Sequence, residues 1–450
     1  MTTHEVVRFL DGGVSSFHVS RSIATRLEES GFRRLSLGEQ WSITSGEAIY
    51  VEQGGSVVAL RAGSDPVVSR GMVLLAAHTD SPGLQLKPHS AEFVDGLVQV
   101  PVEVYGGPIL SSWLDRDLTV AGRIVIHDDQ GTLRTVLVAG KRPMAIIPNL
   151  AIHLNREVNE GFAYNRQDHL KALLGPANSP AAVPAAADSA TPSGSAESWI
   201  RHIVGELAGI DPESIVDTEL FLVPTEPANL LGTRGLIASP RIDNLAGTFS
   251  VLQAIADASL TAPHTQGAVF FNHEEIGSAT SVGAAGALLE TVLRRTVAAL
   301  TGDGADLDRV LARSVLVSND AAHARHPNFA DKHDAGYAPV LGGGPVIKKS
   351  AIWRYVGDLS AAAWFAAVCH EAEVPVQYLQ NRSDIRAGST IGPAVASRLG
   401  LRGLDVGIPM LAMHSAREMA SVTDVDSMIR VLRALLVRNN DEILDPDSAR

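Results

Sequence analysis

Short apolar runs recur along the chain, and segments with the apolar spacing of amphipathic helices separate most of them. Continuous apolar runs of this length are typical of buried strands. The predicted strands are Gly71–Ala77, Ala268–Phe271, Ser314–Val317, Val376–Tyr378 and Leu404–Ile408, and the predicted helices are Asn244–Ala258, Ala284–Ala299 and Leu359–Ala372. This alternation predicts an α/β fold in which helices cover both faces of a mainly parallel mixed sheet.

A different pattern interrupts this order. From about Glu92 to Leu154, short β-branched runs alternate with turns, which is typical of antiparallel strands joined by hairpins. The predicted strands here are Leu97–Val104, Leu118–Ile126 and Thr135–Val138. The sequence therefore predicts one α/β domain, residues 1–90 plus 228–450, interrupted by a β-rich insert, residues 91–227.

Residues 175–198 within the insert consist almost entirely of Ala, Pro, Ser and Gly. Such a segment buries too little apolar surface to offset the entropy of ordering it. We expect a mobile surface loop.

Composition narrows the class of protein. The 450 residues carry a formal net charge of −13, which opposes binding to nucleic acid or to anionic membranes. A single cysteine, Cys369, excludes a disulfide framework and a thiolate zinc cluster. The first twenty residues hold five charged or histidine side chains where a secretory signal needs an apolar run. These features predict a cytoplasmic protein without nucleic acid or membrane partners.

Histidines and carboxylates follow the predicted strands and open one of the predicted helices. They are His78, Asp80, Asp243, Glu274, Glu275, Asp320 and His414. Because ligands of open α/β sheets bind beyond the carboxyl ends of the strands, we expect these side chains to converge.

Oxygen and imidazole donors without thiolates favour Zn²⁺, with Mn²⁺ or Co²⁺ as alternatives. So many donors suit two ions that share one carboxylate and activate a water, with another carboxylate left to move protons. Glu274 and Glu275 could divide the ligand and proton-transfer roles, and Asp80 is placed to orient the His78 imidazole.

Each of these residues alone is more often a loop residue or a helix cap than a ligand, so their joint occurrence carries the prediction. Other motifs do not fit. The string HEEIG (273–277) lacks the second histidine of H-E-x-x-H, GPVIKKS (344–350) lacks the glycine that precedes a P-loop lysine, and no G-x-S-x-G elbow occurs.

Eight strings in the chain resemble, in order, those of the aspartyl aminopeptidase family of co-catalytic metallo-aminopeptidases. They are HTDSPG (78–83), NLAIHLNR (149–156), RIDNLAG (241–247), HEEIGS (273–278), AHARHPNF (322–329), GPVIK (344–348), STIGP (389–393) and MHSARE (413–418). The resemblance implies a catalytic domain of the metallo-aminopeptidase type, an inserted β-rich dimerisation domain and assembly of dimers into a dodecamer.

The resemblance also implies roles for individual residues. The implied metal ligands are His78, Asp243, Glu275, Asp320 and His414, with Asp243 as the bridge and Glu274 as the general base. His153 is implied to reach a neighbouring subunit's active site, although some bacterial members are described with this histidine as a ligand. His323, Lys348 and Tyr355 are implied to line the substrate pocket, with Lys348 near an acidic side chain.

The sequence thus predicts a metal-dependent aminopeptidase that removes N-terminal Asp or Glu from peptides. Two alternatives stand beside it: a related di-metal aminopeptidase or deacylase of other specificity, and a non-enzymatic assembly protein of the same fold. Retention of Glu274 and of every implied ligand ranks the last of these lowest.

Overall fold

A computed structural model of the chain describes residues 3–88, 90–176, 196–232, 235–257, 259, 261–439 and 441–444. They form two compact units. The larger comprises Met1–Asp80, Ala228–Met413 and Glu418–Arg450, and the smaller Ser81–Pro227 and His414–Arg417. The predicted domain division, with its dimerisation role for the insert, stays a prediction. Of the predicted mobile loop, positions 177–195 lie outside the described residues.

The strands are numbered in chain order. They are β1 (Arg33–Arg34), β2 (Ala48–Gln53), β3 (Ser56–Arg61), β4 (Met72–His78), β5 (Gly83–Leu86), β6 (Glu92–Val94), β7 (Leu97–Val100), β8 (Val102–Tyr105), β9 (Leu118–His127), β10 (Leu133–Ala139), β11 (Ala172–Pro176), β12 (Ile215–Pro224), β13 (Asn229–Leu231), β14 (Leu236–Ser239), β15 (Thr265–Phe271), β16 (Val315–Asn319), β17 (Ala322–His323), β18 (Val346–Lys348), β19 (Gln377–Leu379), β20 (Arg402–Gly407), β21 (Pro409–Leu411) and β22 (Glu418–Ser421).

The helices are α1 (Thr3–Gly12), α2 (Ser16–Glu29), α3 (Val67–Arg70), α4 (Ala196–Ala208), α5 (Ile242–Ile255), α6 (Leu288–Thr301), α7 (Leu307–Leu311), α8 (Leu359–Glu371), α9 (Ile391–Leu399), α10 (Val422–Val437) and α11 (Asp441–Leu444).

A nine-stranded sheet forms the centre of the larger unit, in the order β1-β2-β3-β15-β4-β16-β20-β18-β19. The four middle strands, β15, β4, β16 and β20, run parallel to one another. All seven residues of β4 are buried, as its continuous apolar sequence predicts. The predicted fold class is confirmed, with antiparallel pairs towards both edges of the sheet.

Helices cover both faces of this sheet. Val73, Leu75 and Ala77 of β4 belong to a core cluster that contains side chains of α5, α8 and α10. The alternating residues Met72 and Leu74 belong to a second cluster with side chains of α6 and α9. Because successive side chains of a strand point to opposite faces, each face of β4 has its own hydrophobic core.

The larger unit holds a second, five-stranded sheet, β13-β14-β22-β21-β17. Strands β21 and β22 follow β20 directly in the chain and pair antiparallel with each other. The end of β22 continues into α10, so this sheet is covalently continuous with a helix that packs on the central one.

The smaller unit is β-rich. Its sheets have the orders β10-β9-β12-β5-β8 and β11-β7-β6, and α4 contributes Trp199, Ile200 and Val204 to their shared core. The single strand expected over Leu97–Val104 is two strands, because Pro101 lacks the N–H that a continuous ladder needs. Strand β7 pairs with β6 and β11, whereas β8 pairs with β5.

Within the part of the chain described above, no helix is long and apolar enough to cross a membrane.

Candidate metal centre and active site

The carboxyl ends of three adjacent parallel strands place the candidate residues. In the ladder between β15 and β4, Phe271 pairs with His78, so both strands end at the same level. On the other side of β4, Ser318 pairs with Ala76. The residues that follow these strands therefore share one edge of the sheet, as the sequence pattern predicts.

His78 occupies the centre of this edge and is 1% exposed. Its Nε2 atom lies 3.4 Å from Oδ1 of Asp243 and 3.5 Å from Oδ1 of Asp320. The Thr248 hydroxyl donates a 2.6 Å hydrogen bond to the His78 carbonyl. One nitrogen and two carboxylate oxygens thus lie within 4.8 Å of one another, which is the spacing of a metal ligand set.

Asp80 orients His78 from the other side of the imidazole. Its Oδ1 atom lies 3.5 Å from His78 Nδ1, and its backbone carbonyl lies 3.0 Å from the same nitrogen. The same carboxylate accepts hydrogen bonds of 3.1 Å from the backbone N–H groups of both Glu274 and Glu275. Asp80 therefore fixes two strand ends at once, a wider role than the orienting role that the sequence predicts for it.

Glu418 holds Asp243 in place. Asp243 is the second residue of α5, and its φ of −80° and ψ of 110° lie outside the helical region. Its backbone N–H donates a 3.0 Å hydrogen bond to Oε2 of Glu418, a carboxylate that is 2% exposed. Sequence reasoning missed this partner, and the only signal was the last letter of MHSARE.

Glu274 and Glu275 are half-buried, and each offers an oxygen within 4.8 Å of the other's and of a His78 nitrogen. The pKa of Glu274 is raised to about 8, because burial and the nearby carboxylates of Asp320, Asp80 and Asp243 together outweigh the opposing His78 charge. Burial and the Asp243 charge likewise raise the pKa of Glu275 well above its usual range. The site therefore carries more negative charge than its own cations balance.

The His78 imidazole shows the same excess. Burial lowers its pKa, yet hydrogen bonding to Asp243, Asp320 and Asp80 outweighs burial and raises the pKa well above 6.5. A cluster that draws a proton onto a buried imidazole is one in which a divalent cation can take the place of that proton. The charge and the nitrogen and oxygen donors both fit zinc.

Lys348 and Tyr355 form a second feature of the larger unit. Lys348 ends β18, is 2% exposed, and places its Nζ atom 5.3 Å from the centroid of the buried Tyr355 ring. Burial lowers the pKa of Lys348, but the charges of Asp320, Asp405 and Asp243 outweigh burial and raise it, so the ammonium is charged. His323 ends β17 with an exposed side chain, and its substrate role stays a prediction.

His153 and His414 belong to the smaller unit. His153 is exposed in a turn of the segment between β10 and β11. His414 has φ 68°, and its Nδ1 atom lies 3.1 Å from the Gly107 carbonyl oxygen. Their roles as cross-subunit residue and metal ligand stay predictions.

Comparison with known proteins agrees with this chemistry. Residues 9–436 match the family described as aminopeptidase I zinc metalloprotease (M18). A probable M18 family aminopeptidase 2 of Ectopseudomonas mendocina (strain ymp) is 42% identical over 432 residues, covering 95% of this chain and 96% of that protein.

Solved structures agree as well. A chain in the cryo-EM structure of the Ape4 and Nbr1 complex is 33% identical with a TM-score of 0.90, over 96% of this chain and 85% of that one. The mApe1 structure of Chaetomium thermophilum is 27% identical with a TM-score of 0.85, over 98% of each chain. The chain belongs to the M18 family of zinc metallo-aminopeptidases.

Proposed function

We propose that this aminopeptidase removes N-terminal Asp or Glu from peptides and uses two zinc ions to do so. The proposed specificity rests on Lys348. Its ammonium group is buried and charged, and the candidate ligand Asp320 is the carboxylate that raises its pKa most. A buried cation beside a hydrolytic centre suits a substrate with a negatively charged side chain.

The number of candidate carboxylate and imidazole donors suits two ions rather than one, although the two groups that they form share His78. His78, Asp243 and Asp320 form one group of converging donors, and His78, Glu274 and Glu275 form another. His78, Asp243, Asp320 and Glu275 would hold the ions, and the family resemblance implies that Asp243 is shared between them and that His414 completes the set. Zinc bound there would lower the pKa of a water molecule and polarise a carbonyl group.

The protein's own residues then move the proton. Glu274 accepts a proton from the attacking water and delivers it to the departing amine, as a general base and then a general acid. Its pKa of about 8 without a cation would fall beside divalent ions, so the carboxylate is ready to accept a proton near neutral pH. Asp80 holds the Glu274 backbone, and with it the position of this base.

The net charge of −13 gives Lys348 a particular importance. A negative protein repels an acidic peptide at long range, so specificity for it must come from a local cation. Lys348 supplies that cation where water is excluded.

A panel of zinc-loaded assays on Asp-, Glu-, Leu- and Ala-anilides tests this specificity. We expect the acidic substrates to be hydrolysed fastest. We expect Lys348→Met to reduce kcat/KM for the Asp substrate by about 10- to 100-fold, mainly through KM, because a charged hydrogen bond is lost. The matched control is Lys349→Met, which removes the neighbouring, half-buried lysine.

Two results would contradict the proposal. A wild-type preference for Leu over Asp would indicate an M18 aminopeptidase of other specificity. Equal losses on Asp and Leu substrates in Lys348→Met would remove this lysine from acid recognition.

We further propose that the chain assembles into dimers that build a dodecamer. Four large apolar side chains between residues 146 and 154 of the smaller unit are exposed, with Leu154 75% exposed. Several exposed apolar side chains so close together in the chain favour an interface. We expect light scattering to give a mass near that of twelve chains for the wild type and a smaller mass for Leu154→Lys. A wild type that is monomeric at micromolar concentration would contradict the proposal.

Cytoplasmic location stays a prediction.

A further inference from the structure

A second buried carboxylate, outside the candidate ligands, lies next to the lysine that we assign to acid recognition. Asp405 is on β20 and has no exposed surface. In the antiparallel pairing of β18 with β20, Ile347 lies opposite Val406. Lys348 follows Ile347 and Asp405 precedes Val406, so Lys348 and Asp405 lie opposite each other. Their side chains are therefore on the same face of the sheet.

Asp405 also forms hydrogen bonds with the segment that contains Tyr355. Its Oδ2 atom accepts a 2.6 Å hydrogen bond from the Val356 N–H, and its own N–H donates a 2.9 Å hydrogen bond to the Val356 carbonyl. Tyr355 immediately precedes Val356, and its ring faces the Lys348 ammonium. Asp405 thus binds the backbone of Val356, next to Tyr355, and lies on the same face of the sheet as Lys348.

The first turn of α9 closes around the same carboxylate. A side chain at Gly392 would place its Cβ atom 2.6 Å from both Asp405 oxygens, so this glycine permits the close approach. Burial raises the pKa of Asp405 to about 6, while the Lys348 charge and the hydrogen bond from the Val356 N–H oppose that rise. At neutral pH the carboxylate is therefore ionised.

The other two carboxylates that act on Lys348 differ from Asp405 in their proposed role. Asp320 and Asp243 raise the pKa of Lys348 as Asp405 does, but both are candidate metal ligands. Bound divalent ions cancel the charge of their carboxylates. With zinc bound, Asp405 would therefore be the one of these three carboxylates whose negative charge remains to stabilise the Lys348 ammonium.

We propose that Asp405 is a positioning residue for Lys348 and Tyr355, and that it thereby sets the preference for an acidic N-terminal side chain. This inference rests on the proposed function, because it takes acid recognition by Lys348 as given. Asp405 does not touch the reacting atoms and acts through its two neighbours.

The test compares Asp405→Asn with Asp424→Asn in the zinc-loaded enzyme. Asparagine keeps an acceptor for the Val356 N–H but removes the charge. Asp424 is an equally buried carboxylate, and it accepts hydrogen bonds from the N–H groups of Gly342 and Gly344 at 2.7 and 2.8 Å. It controls for the general loss of a buried charge.

We expect Asp405→Asn to lower the ratio of kcat/KM for Asp- over Leu-anilide by about tenfold or more, through KM for the Asp substrate, whereas Asp424→Asn keeps the wild-type ratio. A second readout does not depend on substrate preference. The unfolding free energies of Asp405→Asn, Lys348→Met and the double variant should be non-additive, because the two buried charges interact and each single change removes that interaction.

The outcomes separate the two proposals. A wild type without preference for Asp overturns the proposed specificity, and the specificity part of this inference with it, while the stability cycle still decides whether Asp405 positions Lys348. Additive stabilities, or an unchanged or raised ratio in Asp405→Asn, overturn the inference alone. If Asp405→Asn does not fold, Lys348→Met in the same chain should restore folding, and failure to do so overturns it as well.

Discussion

Replacing Glu274 with Gln is expected to lower kcat by about 100- to 10,000-fold on every substrate, while the zinc content stays that of the wild type. Glutamine has the same shape and still offers a carbonyl oxygen, but it cannot accept and return a proton. Glu274 is half-buried among carboxylates, so no bulk base has easy access to replace it. Steady-state kinetics and metal analysis on the same sample measure both parts of this prediction.

A matched control is Glu52→Gln, which changes a half-buried glutamate in the same unit that pairs with Arg34 at 3.1 Å. It should keep wild-type kcat. A Glu274→Gln enzyme as fast as the wild type would show that the base is another residue. Loss of zinc together with activity would instead make Glu274 a ligand, and the adjacent Glu275 would become the candidate base.

The second large effect is expected at Asp243. We predict two zinc ions per chain in the wild type, and in Asp243→Ala the loss of bound zinc and of hydrolysis down to the level of a sample without enzyme. The Asp243 carboxylate lies 3.4 Å from His78 Nε2 and is held through its backbone by Glu418, so its loss removes the proposed bridge between the ions.

Chelation of the wild type should have the same effect on activity and should lower Tm. Ions that bind only the folded chain stabilise it by about 4 kcal/mol at a thousandfold excess over Kd. Asp424→Asn, which removes a buried carboxylate elsewhere, should keep its zinc. One zinc per fully active chain would contradict the two-ion proposal, and full zinc content in Asp243→Ala would exclude Asp243 as the bridge.

The sequence predicts the edge of the sheet where this chemistry lies because apolar strands and the polar residues after them are local patterns. Strand β4 is buried throughout, and the ends of β15 and β16 lie at its level. His78, Glu275 and Asp320 can therefore be grouped from the sequence alone.

Contacts between distant segments could not be predicted in this way. Nothing in the local pattern indicates that Glu418 accepts a hydrogen bond from Asp243, 175 positions earlier, or that Asp405 grips Val356. The break between β7 and β8 at Pro101 could have been predicted, because proline has no backbone N–H. The apolar residues on both sides of Pro101 favoured a single strand instead. Strands β2 and β3 pair as a hairpin and were not predicted, although the sequence carries the signal for them: two apolar runs flank the two-residue turn Gly54-Gly55.

The hydrogen bonds from Glu274 and Glu275 to Asp80 join residues 194 and 195 positions apart. Contacts of such long sequence separation form slowly, because closing a long loop costs entropy before any contact is gained. A chain emerging from the ribosome cannot complete the metal centre until β15 and β16 have been synthesised and have docked on either side of β4. The ligand set that we propose for zinc is therefore assembled late in folding, and a truncated or partly folded chain lacks the complete site for peptide hydrolysis.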